Sequence, residues 1–215
     1  MKERLNKMLK RSLKNYFAKT WIPKAFILFG GLLFSLCVYA ANPTVEMKTN
    51  MGKITLELDP NKAPATVANF LKYVRDGFYR GTIFHRVIPN FMIQGGGFAK
   101  DYVQKPAGEP IENEAANGLA NDIGSIAMAR TSDPHSATAQ FFINVANNEF
   151  LNYRSPSVSG FGYCVFGKVI KGMDVVNSIT ALPTGPSGPF PTDAPQKQVV
   201  ITEVTVIDTS KSEGK

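Results

Sequence analysis

The chain has 215 residues, of which 44% are hydrophobic and 19% are charged, and its sequence pI is about 9.4. The first 40 residues hold eight of the 24 Lys/Arg residues and one of the 17 Asp/Glu residues, which leaves 16 of each sign in residues 41–215. The body of the chain is therefore neutral, and we do not expect a nucleic-acid partner because no basic patch supplies the charge that such a partner requires. The length suits one globular domain with an additional segment.

The first 40 residues have the organisation of a secretory signal peptide. A basic region precedes an uncharged apolar stretch at residues 25–40, and small residues surround the junction of Ala40 and Ala41. We expect cleavage after Ala40 and a periplasmic domain at residues 41–215. The alternative is an uncleaved leader that anchors the protein in the inner membrane, although the apolar stretch is at the short limit of the roughly 17–25 residues that span a bilayer.

The predicted elements of the body begin with two strands, 45–49 and 54–58, in which apolar and polar side chains alternate on either side of a turn at 50–52. A helix is predicted next, because apolar residues recur at the spacing i, i+3, i+4, i+7. It begins near Pro64, stops near Gly77, and presents one apolar face made of Val67, Phe70, Leu71 and Val74.

The second half of the chain is predicted to be mostly short strands. They cover residues 82–88, 124–130, 140–146 and 163–170. A helix is expected at 172–182, then a Pro/Gly-rich loop at 183–195, a last strand at 197–208 and a frayed tail at 209–215. Many short strands with two helices favour a single, closed β-barrel whose ends the helices cover.

Several chemistries have no support in the motifs. The chain has two histidines, His85 and His135, and Cys164 would be the only cysteine left after removal of the leader, so a zinc cluster is not expected. We interpret Cys164 as a small buried hydrophobic residue rather than a nucleophile. No Gly-x-Ser-x-Gly motif is present, and no Gly-Lys-Ser/Thr follows the glycine triplet at 95–97, which is therefore predicted to form a tight turn.

An apolar surface with a fixed cation remains as the candidate site. On strand 140–146 the period of two puts Gln140, Phe142 and Asn144 on the face opposite the core. On strand 82–88 the same rule groups Arg86 with Phe84 and Ile88, and it leaves His85 on the other face as a buried, hydrogen-bonded structural residue. Either Arg86 borders an apolar pocket with Phe91, Met92 and Gln94, or it is a surface arginine packed on its neighbours.

The segments "FHRVIPNFMIQGGG", "GSIAMAR", "SATAQFFINVA", "NNEFLN" and "YCVFGKVIKGMDVV" resemble the cyclophilins, and most closely their exported bacterial, periplasmic branch. The resemblance extends from about Val45 to Asp208. It implies a mainly β fold: a closed eight-stranded antiparallel barrel capped by two helices. It also implies peptidyl-prolyl cis-trans isomerase activity without a cofactor or metal, on the outer surface of the barrel.

The same resemblance assigns the site residues. Arg86 becomes the catalytic residue, and the substrate-binding residues become Phe91, Met92, Gln94, Ala129, Arg130, Gln140, Phe142, Phe150, Leu151 and Tyr163. Three of these depart from many relatives, which have asparagine in place of Arg130, tryptophan in place of Phe150 and histidine in place of Tyr163. Because a phenylalanine ring lacks the indole N–H donor, we expect only weak cyclosporin binding.

The expected partners are unfolded or partly folded polypeptides that contain proline. The expected function is faster rotation about X-Pro bonds in exported proteins during folding. The alternative is a proline-peptide binding module, or a holdase chaperone with little turnover. We expect a monomer without nucleic acid and, once the leader is removed, without stable membrane contact.

Overall fold

The structure is a computed structural model that describes residues 41–207. The predicted leader at 1–40 and the predicted tail at 209–215 lie outside the described residues. The strands are β1 Thr44–Thr49, β2 Gly52–Leu58, β3 Thr82–Ile88, β4 Met92–Ala99, β5 Ser125–Met128, β6 Phe141–Asn144, β7 Val165–Lys171, β8 Thr184–Ser187, β9 Phe190–Pro195 and β10 Val199–Ile207. The α-helices are α1 Pro64–Arg75 and α2 Met173–Thr180, and short 3₁₀ helices cover Ala115–Asn117 and Glu149–Leu151.

Eight of these strands form a closed antiparallel barrel in the order β1-β10-β3-β4-β6-β5-β7-β2. β1 pairs with β2 through the turn predicted at residues 50–52, in a register that places Thr49 opposite Gly52. The mainly β barrel and its two helices confirm the predicted fold class. The period of two in β1 and β2 has the expected consequence, since Val45, Met47 and Ile54 are completely buried.

The helix α1 packs the predicted apolar face against the barrel, and Phe70 and Val67 are almost fully buried. Pro64 occupies its first turn, where a missing N–H costs nothing. The helix has no side-chain cap of its own. Instead, the Glu114 carboxylate accepts hydrogen bonds from the backbone N–H groups of Ala65 and Thr66 at 3.0 and 2.8 Å, which satisfies free donors at the positive end of the helix.

The glycine triplet is not a tight turn, and this prediction is wrong. Residues 95–97 lie inside β4, a strand that the period of two did not reveal because glycine carries no side chain to show a face. β4 contains a bulge, since Thr82 faces Ala99 while Phe84 faces Gly95. Gly96 has a φ of 83°, and a Cβ there would lie 2.8 Å from a ring carbon of Phe141.

Strict alternation also fails in β3. Phe84 faces Gly95 and Arg86 faces Gln94, so β3 advances by two residues while β4 advances by one. This bulge turns Phe84 into the barrel interior together with Val87, whereas Arg86 faces the outside. The prediction that Arg86 shares a face with Phe84 is therefore wrong. The prediction that Arg86 points away from the core is correct.

The segment predicted as a Pro/Gly-rich loop at 183–195 contains a two-stranded sheet, which we call the β8–β9 hairpin. Thr184 faces Pro195 and Ser187 faces Phe190. The hairpin lies against the outside of β3, where the Phe190 ring stacks on His85 with ring centroids 5.1 Å apart. A Pro/Gly-rich composition masked these strands because it lacks the β-branched and aromatic residues that mark most strands.

Candidate active site

A second hydrophobic cluster lies on the outer face of the barrel, apart from the interior core. Its buried members are Met92, Ala127, Phe142, Leu151 and Val165. They come from β4, β5, β6, β7 and the 3₁₀ helix before Asn152, so four paired strands provide a rigid base. Such a cluster on the outside of a barrel has an open side, and it can bind an apolar group there.

The cavity above this cluster, which we call the outer pocket, has a volume of about 130 Å³. Of the eleven predicted site residues, nine line it: Arg86, Phe91, Met92, Gln94, Ala129, Arg130, Phe142, Leu151 and Tyr163. The structure therefore brings together residues from three strands, three loop segments and a 3₁₀ helix, at the place where the sequence predicted a site. One side of the outer pocket is apolar, and guanidinium and amide groups border it.

Gln140 and Phe150 complete the predicted set without lining the outer pocket. The side-chain amide of Gln94 donates to Oε1 of Gln140 at 3.0 Å, so Gln140 borders the site through its neighbour. The Phe150 ring is 63% exposed and stacks on Phe91 with ring centroids 5.6 Å apart. Phe150 thus extends the apolar wall into solvent, where a bound peptide chain can contact it.

The two arginines of the outer pocket differ in how far their donors are used. Arg130 donates through Nε to the carbonyl of Gly162 at 2.9 Å and through Nη1 to that of Thr131 at 2.9 Å, and it lies over the Tyr163 ring. Within the described residues, the Arg86 side chain makes no hydrogen bond, and its one ion pair joins Nε to Oδ2 of Asp193 at 3.8 Å. The donors of Arg86 are therefore available to a ligand, whereas those of Arg130 serve the protein.

Buried asparagines support two walls of the outer pocket, and the sequence reasoning missed them. Asn148 donates to the carbonyl of Phe91 at 2.9 Å and to Oδ1 of Asn144 at 2.6 Å. Asn144 donates in turn to Oδ1 of Asn121, which donates to the carbonyl of Leu151 at 3.2 Å. The period of two predicts that Asn144 lies on the outer face of β6. Nothing in the sequence indicates that this side chain is completely buried.

His85 lies directly beside Arg86 but points to the β8–β9 hairpin instead of the outer pocket. It is 3% exposed, which confirms the predicted burial, and its ring packs between Phe98 and Phe190. Its Nδ1 has no hydrogen-bond partner within the described residues, so the predicted hydrogen bonding fails at this nitrogen. Burial, together with the neighbouring charge of Arg86, lowers the pKa of His85 to about 4.

Cys164 is buried, as predicted, and its Sγ lies 3.4 Å from the hydroxyl of Thr66. Burial raises the pKa of the thiol to about 11, which keeps it protonated and poorly nucleophilic. His135 is exposed, as predicted, and its Nδ1 accepts a hydrogen bond from the backbone N–H of Asn113. Neither residue lines the outer pocket.

A larger cavity, of about 290 Å³, lies near β2 and β7 and is lined by Glu57, Asp122 and Ile123 among others. Lys168 pairs with Glu57 there at 3.3 Å. Its wall contains no arginine, histidine or aromatic residue. Size alone would select this cavity, but of the two only the outer pocket combines guanidinium donors with an apolar base.

Two further results concern only residues 41–207. In this part of the chain, no cluster of three or more His, Cys, Asp or Glu side chains has a geometry that could hold a metal ion. Neither described helix is long and apolar enough to cross a membrane.

Comparison with known proteins gives the family. The family described as "Cyclophilin type peptidyl-prolyl cis-trans isomerase/CLD" matches residues 44–206. A peptidyl-prolyl cis-trans isomerase of Acinetobacter baylyi is 55% identical over 192 residues, which cover 88% of this chain and 100% of the relative. Peptidyl-prolyl cis-trans isomerase B of Escherichia coli is 57% identical over 162 residues, which cover 75% of this chain and 98% of the relative.

Comparison with solved structures supports the same family. A cyclophilin type peptidyl-prolyl cis-trans isomerase of Cryptosporidium parvum has a TM-score of 0.64 and 27% identity, over 78% of this chain and 98% of that one. The same protein has also been solved in the presence of the dipeptide Ala-Pro, and that structure has a TM-score of 0.62. With its closed barrel, its two helices and this level of identity, the chain belongs to the cyclophilin-type peptidyl-prolyl cis-trans isomerases.

Proposed function

We propose that the chain accelerates rotation about X-Pro bonds in exported proteins during their folding, and that Arg86 is the catalytic residue. Peptidyl-prolyl cis-trans isomerase activity follows from the family. The roles of single residues, the exported clients and the periplasmic location are the proposal. The observation that carries it is the position of a guanidinium at the edge of an outer apolar pocket, with one ion pair and no hydrogen bond from its side chain within residues 41–207.

The reaction requires stabilisation of a twisted amide. A peptide bond resists rotation, with a barrier of roughly 18–20 kcal/mol, because the nitrogen shares its lone pair with the carbonyl. At an X-Pro bond the cis and trans forms differ by only about 0.5–1 kcal/mol, so both are populated, but their exchange is slow. No bond has to break. The enzyme must bind the twisted state, in which the nitrogen has regained its lone pair, more tightly than either planar state.

Arg86 is suited to this task. Its guanidinium stays charged at any physiological pH and presents several N–H donors in a rigid plane. A donor directed at the prolyl nitrogen interacts weakly with the planar amide and more strongly with the twisted one, and this difference lowers the barrier. The side chain of Arg86 is 42% exposed, so it can reach a peptide that lies on the barrel surface.

The apolar wall would bind the proline ring. Phe91, Met92, Phe142 and Leu151 surround the part of the outer pocket that faces away from solvent. Water excluded by a bound ring no longer screens the guanidinium, which strengthens its interaction with the amide. The paired amides of Gln94 and Gln140 would orient Arg86 or the substrate carbonyl, and Ala129 and Arg130 would lie along the peptide backbone.

The predicted leader supports the exported setting. Its basic region, apolar stretch and small residues before Ala41 have the order of a cleavable signal. The protein would then act as a periplasmic monomer without a cofactor. When the full chain is expressed with its own leader in a Gram-negative host, mass spectrometry should find Ala41 as the N-terminal residue in the periplasmic fraction. Recovery of the intact chain from the membrane fraction would instead support the anchored alternative.

Arg86→Ala distinguishes an isomerase from a proline-peptide binding module or holdase. We expect the catalysed exchange of an Ala-Pro peptide, measured by NMR exchange spectroscopy, to fall roughly 10²-fold, as for loss of a transition-state donor. Peptide affinity should change by less than about threefold, since the apolar wall is intact. Equal exchange in the variant and the wild type would contradict the proposed function.

A further inference from the structure

We propose that Asp193 is a positioning residue for Arg86, and that the β8–β9 hairpin is the element that delivers it. This inference rests on the proposed catalytic role of Arg86. It adds a residue that lies far from Arg86 in the sequence and outside the set of eleven site residues.

Asp193 contacts Arg86 at a single nitrogen. Oδ2 of Asp193 lies 3.8 Å from Nε of Arg86, and within the described residues no other carboxylate lies within 4.0 Å of this guanidinium. Because the contact is made at Nε, the two terminal nitrogens of Arg86 remain available to a substrate. The side chains of the pair are 42% and 36% exposed, so the contact forms at the surface, and restriction of the arginine side chain is its main expected effect.

The hairpin that carries Asp193 is firmly attached to the barrel. The Phe190 ring packs against His85, Phe98 and Tyr102, with centroid distances of 5.1, 5.0 and 6.1 Å. The hydroxyl of Tyr102 also contacts that of Ser187 at the end of β8. Aromatic contacts of this kind hold two elements in one geometry. Phe190, which makes these aromatic contacts, lies three residues before Asp193.

The chain is also fixed after Asp193. Ala194 is completely buried, and the backbone N–H of Gln196 donates to the carbonyl of Pro183 at 2.9 Å, which closes the open end of the hairpin. With both sides held, the carboxylate has little freedom to leave Arg86. The β8–β9 hairpin therefore acts as a rigid support that limits the rotamers of a long, flexible side chain.

The backbone of Asp193 determines which substitutions are informative. Its φ is 63°, in the left-handed region that asparagine, aspartate and glycine tolerate best. Asp193→Asn keeps the shape and the backbone preference and removes the negative charge. Asp193→Gly keeps the backbone geometry and removes the whole side chain, so it serves if the first variant folds poorly.

The expected result separates positioning from binding. At saturating Ala-Pro peptide, Asp193→Asn should lower kcat about threefold to tenfold, because a mobile guanidinium is aligned for less of the time. KM should stay within about twofold, since the apolar wall is unchanged. Glu203→Gln is the matched control. It removes one carboxylate from an ion pair with Lys48 at 2.6 Å on β10, away from the outer pocket, and should leave kcat unchanged.

A double-mutant cycle tests whether Asp193 acts through Arg86. In an Arg86→Ala background, assayed at raised enzyme concentration, Asp193→Asn should have no further effect on kcat. An equal loss in both backgrounds would overturn the inference, and so would an unchanged or increased kcat in the single variant. If Arg86→Ala itself retains full kcat, the proposed function fails as well. A large loss in Arg86→Ala with no loss in Asp193→Asn rejects only the positioning role.

Discussion

The side-chain nitrogen of Gln94 donates to Oε1 of Gln140 at 3.0 Å, and this hydrogen bond joins β4 to the residue before β6 at the edge of the outer pocket. The pair depends on a glycine. A Cβ at Gly97 would lie 2.5 Å from Cγ of Gln140, so only glycine leaves room for the amide that meets Gln94. Gly97 thus shapes the polar side of the site without contributing a side chain there.

We therefore predict that Gly97→Ala lowers isomerase activity while the fold is retained. The new methyl group must displace Gln140, a flexible side chain, and the backbone need not adjust. We expect the exchange rate to fall about threefold or more, because a small displacement of a group next to the reacting atoms is costly. Gly108→Ala is the matched control, since its Cβ would meet only the Tyr73 hydroxyl at 3.4 Å. A wild-type rate in Gly97→Ala would show that the Gln94–Gln140 pair is dispensable.

The asparagine network gives a second prediction. Asn148→Ala removes the donor to the Phe91 carbonyl and leaves Oδ1 of Asn144 buried without that partner. We expect the free energy of unfolding to fall by about 1–3 kcal/mol and KM for an X-Pro peptide to rise, since Phe91 is less firmly held. Urea titration and steady-state exchange would measure the two effects. Asn147→Ala removes only an exposed acceptor for the Ile123 N–H at 3.0 Å, so it should lower the free energy of unfolding by less than about 1 kcal/mol and leave KM unchanged. An unchanged KM in Asn148→Ala would remove the network from the account of the site.

His85 makes stability depend on pH. Its pKa is about 4 in the folded protein and about 6.5 when unfolded, so the unfolded state binds the proton first as the pH falls. The free energy of unfolding therefore has its full His85-dependent part above about pH 6.5 and loses it progressively toward pH 4. The loss between pH 7 and pH 5 is about 2 kcal/mol. His85→Phe should reduce this slope in urea titrations, whereas His135→Gln at the exposed histidine should preserve it. Identical slopes in His85→Phe and the wild type would mean that the ring is accessible to water.

Phe150 gives a prediction about inhibition. The ring is 63% exposed and stacks on Phe91, so a larger indole can replace it without crowding. Phe150→Trp adds an N–H donor at the rim, and we expect cyclosporin to inhibit this variant about tenfold more strongly than the wild type, which is the scale of one net hydrogen bond. The uninhibited exchange rate should stay within about twofold. No change in inhibition would place the rim of the site elsewhere.

The sequence predicts the barrel, both helices and all nine residues that line the outer pocket, because these depend on local periodicity or on specific motifs. The sequence does not predict β4, because its three glycines have no side chains to alternate. The two bulges in the β3–β4 pair also break the period of two at Arg86 itself. The sequence does not predict a role for Asp193, because its contact with Arg86 requires a hairpin inside a Pro/Gly-rich segment to fold back onto β3. The sequence also does not predict the buried asparagines, because polar residues near loops are usually exposed.

Arg86→Lys is the variant that tests the central claim most directly, because it keeps the charge and removes the planar set of N–H donors. The measurement is the rate of cis-trans exchange at saturating Ala-Pro peptide, with peptide affinity determined in parallel by titration. We predict a loss of kcat of at least about tenfold with affinity within about threefold of the wild type. A wild-type kcat in Arg86→Lys would contradict the claim that the guanidinium stabilises the twisted amide, and so would a loss confined to affinity.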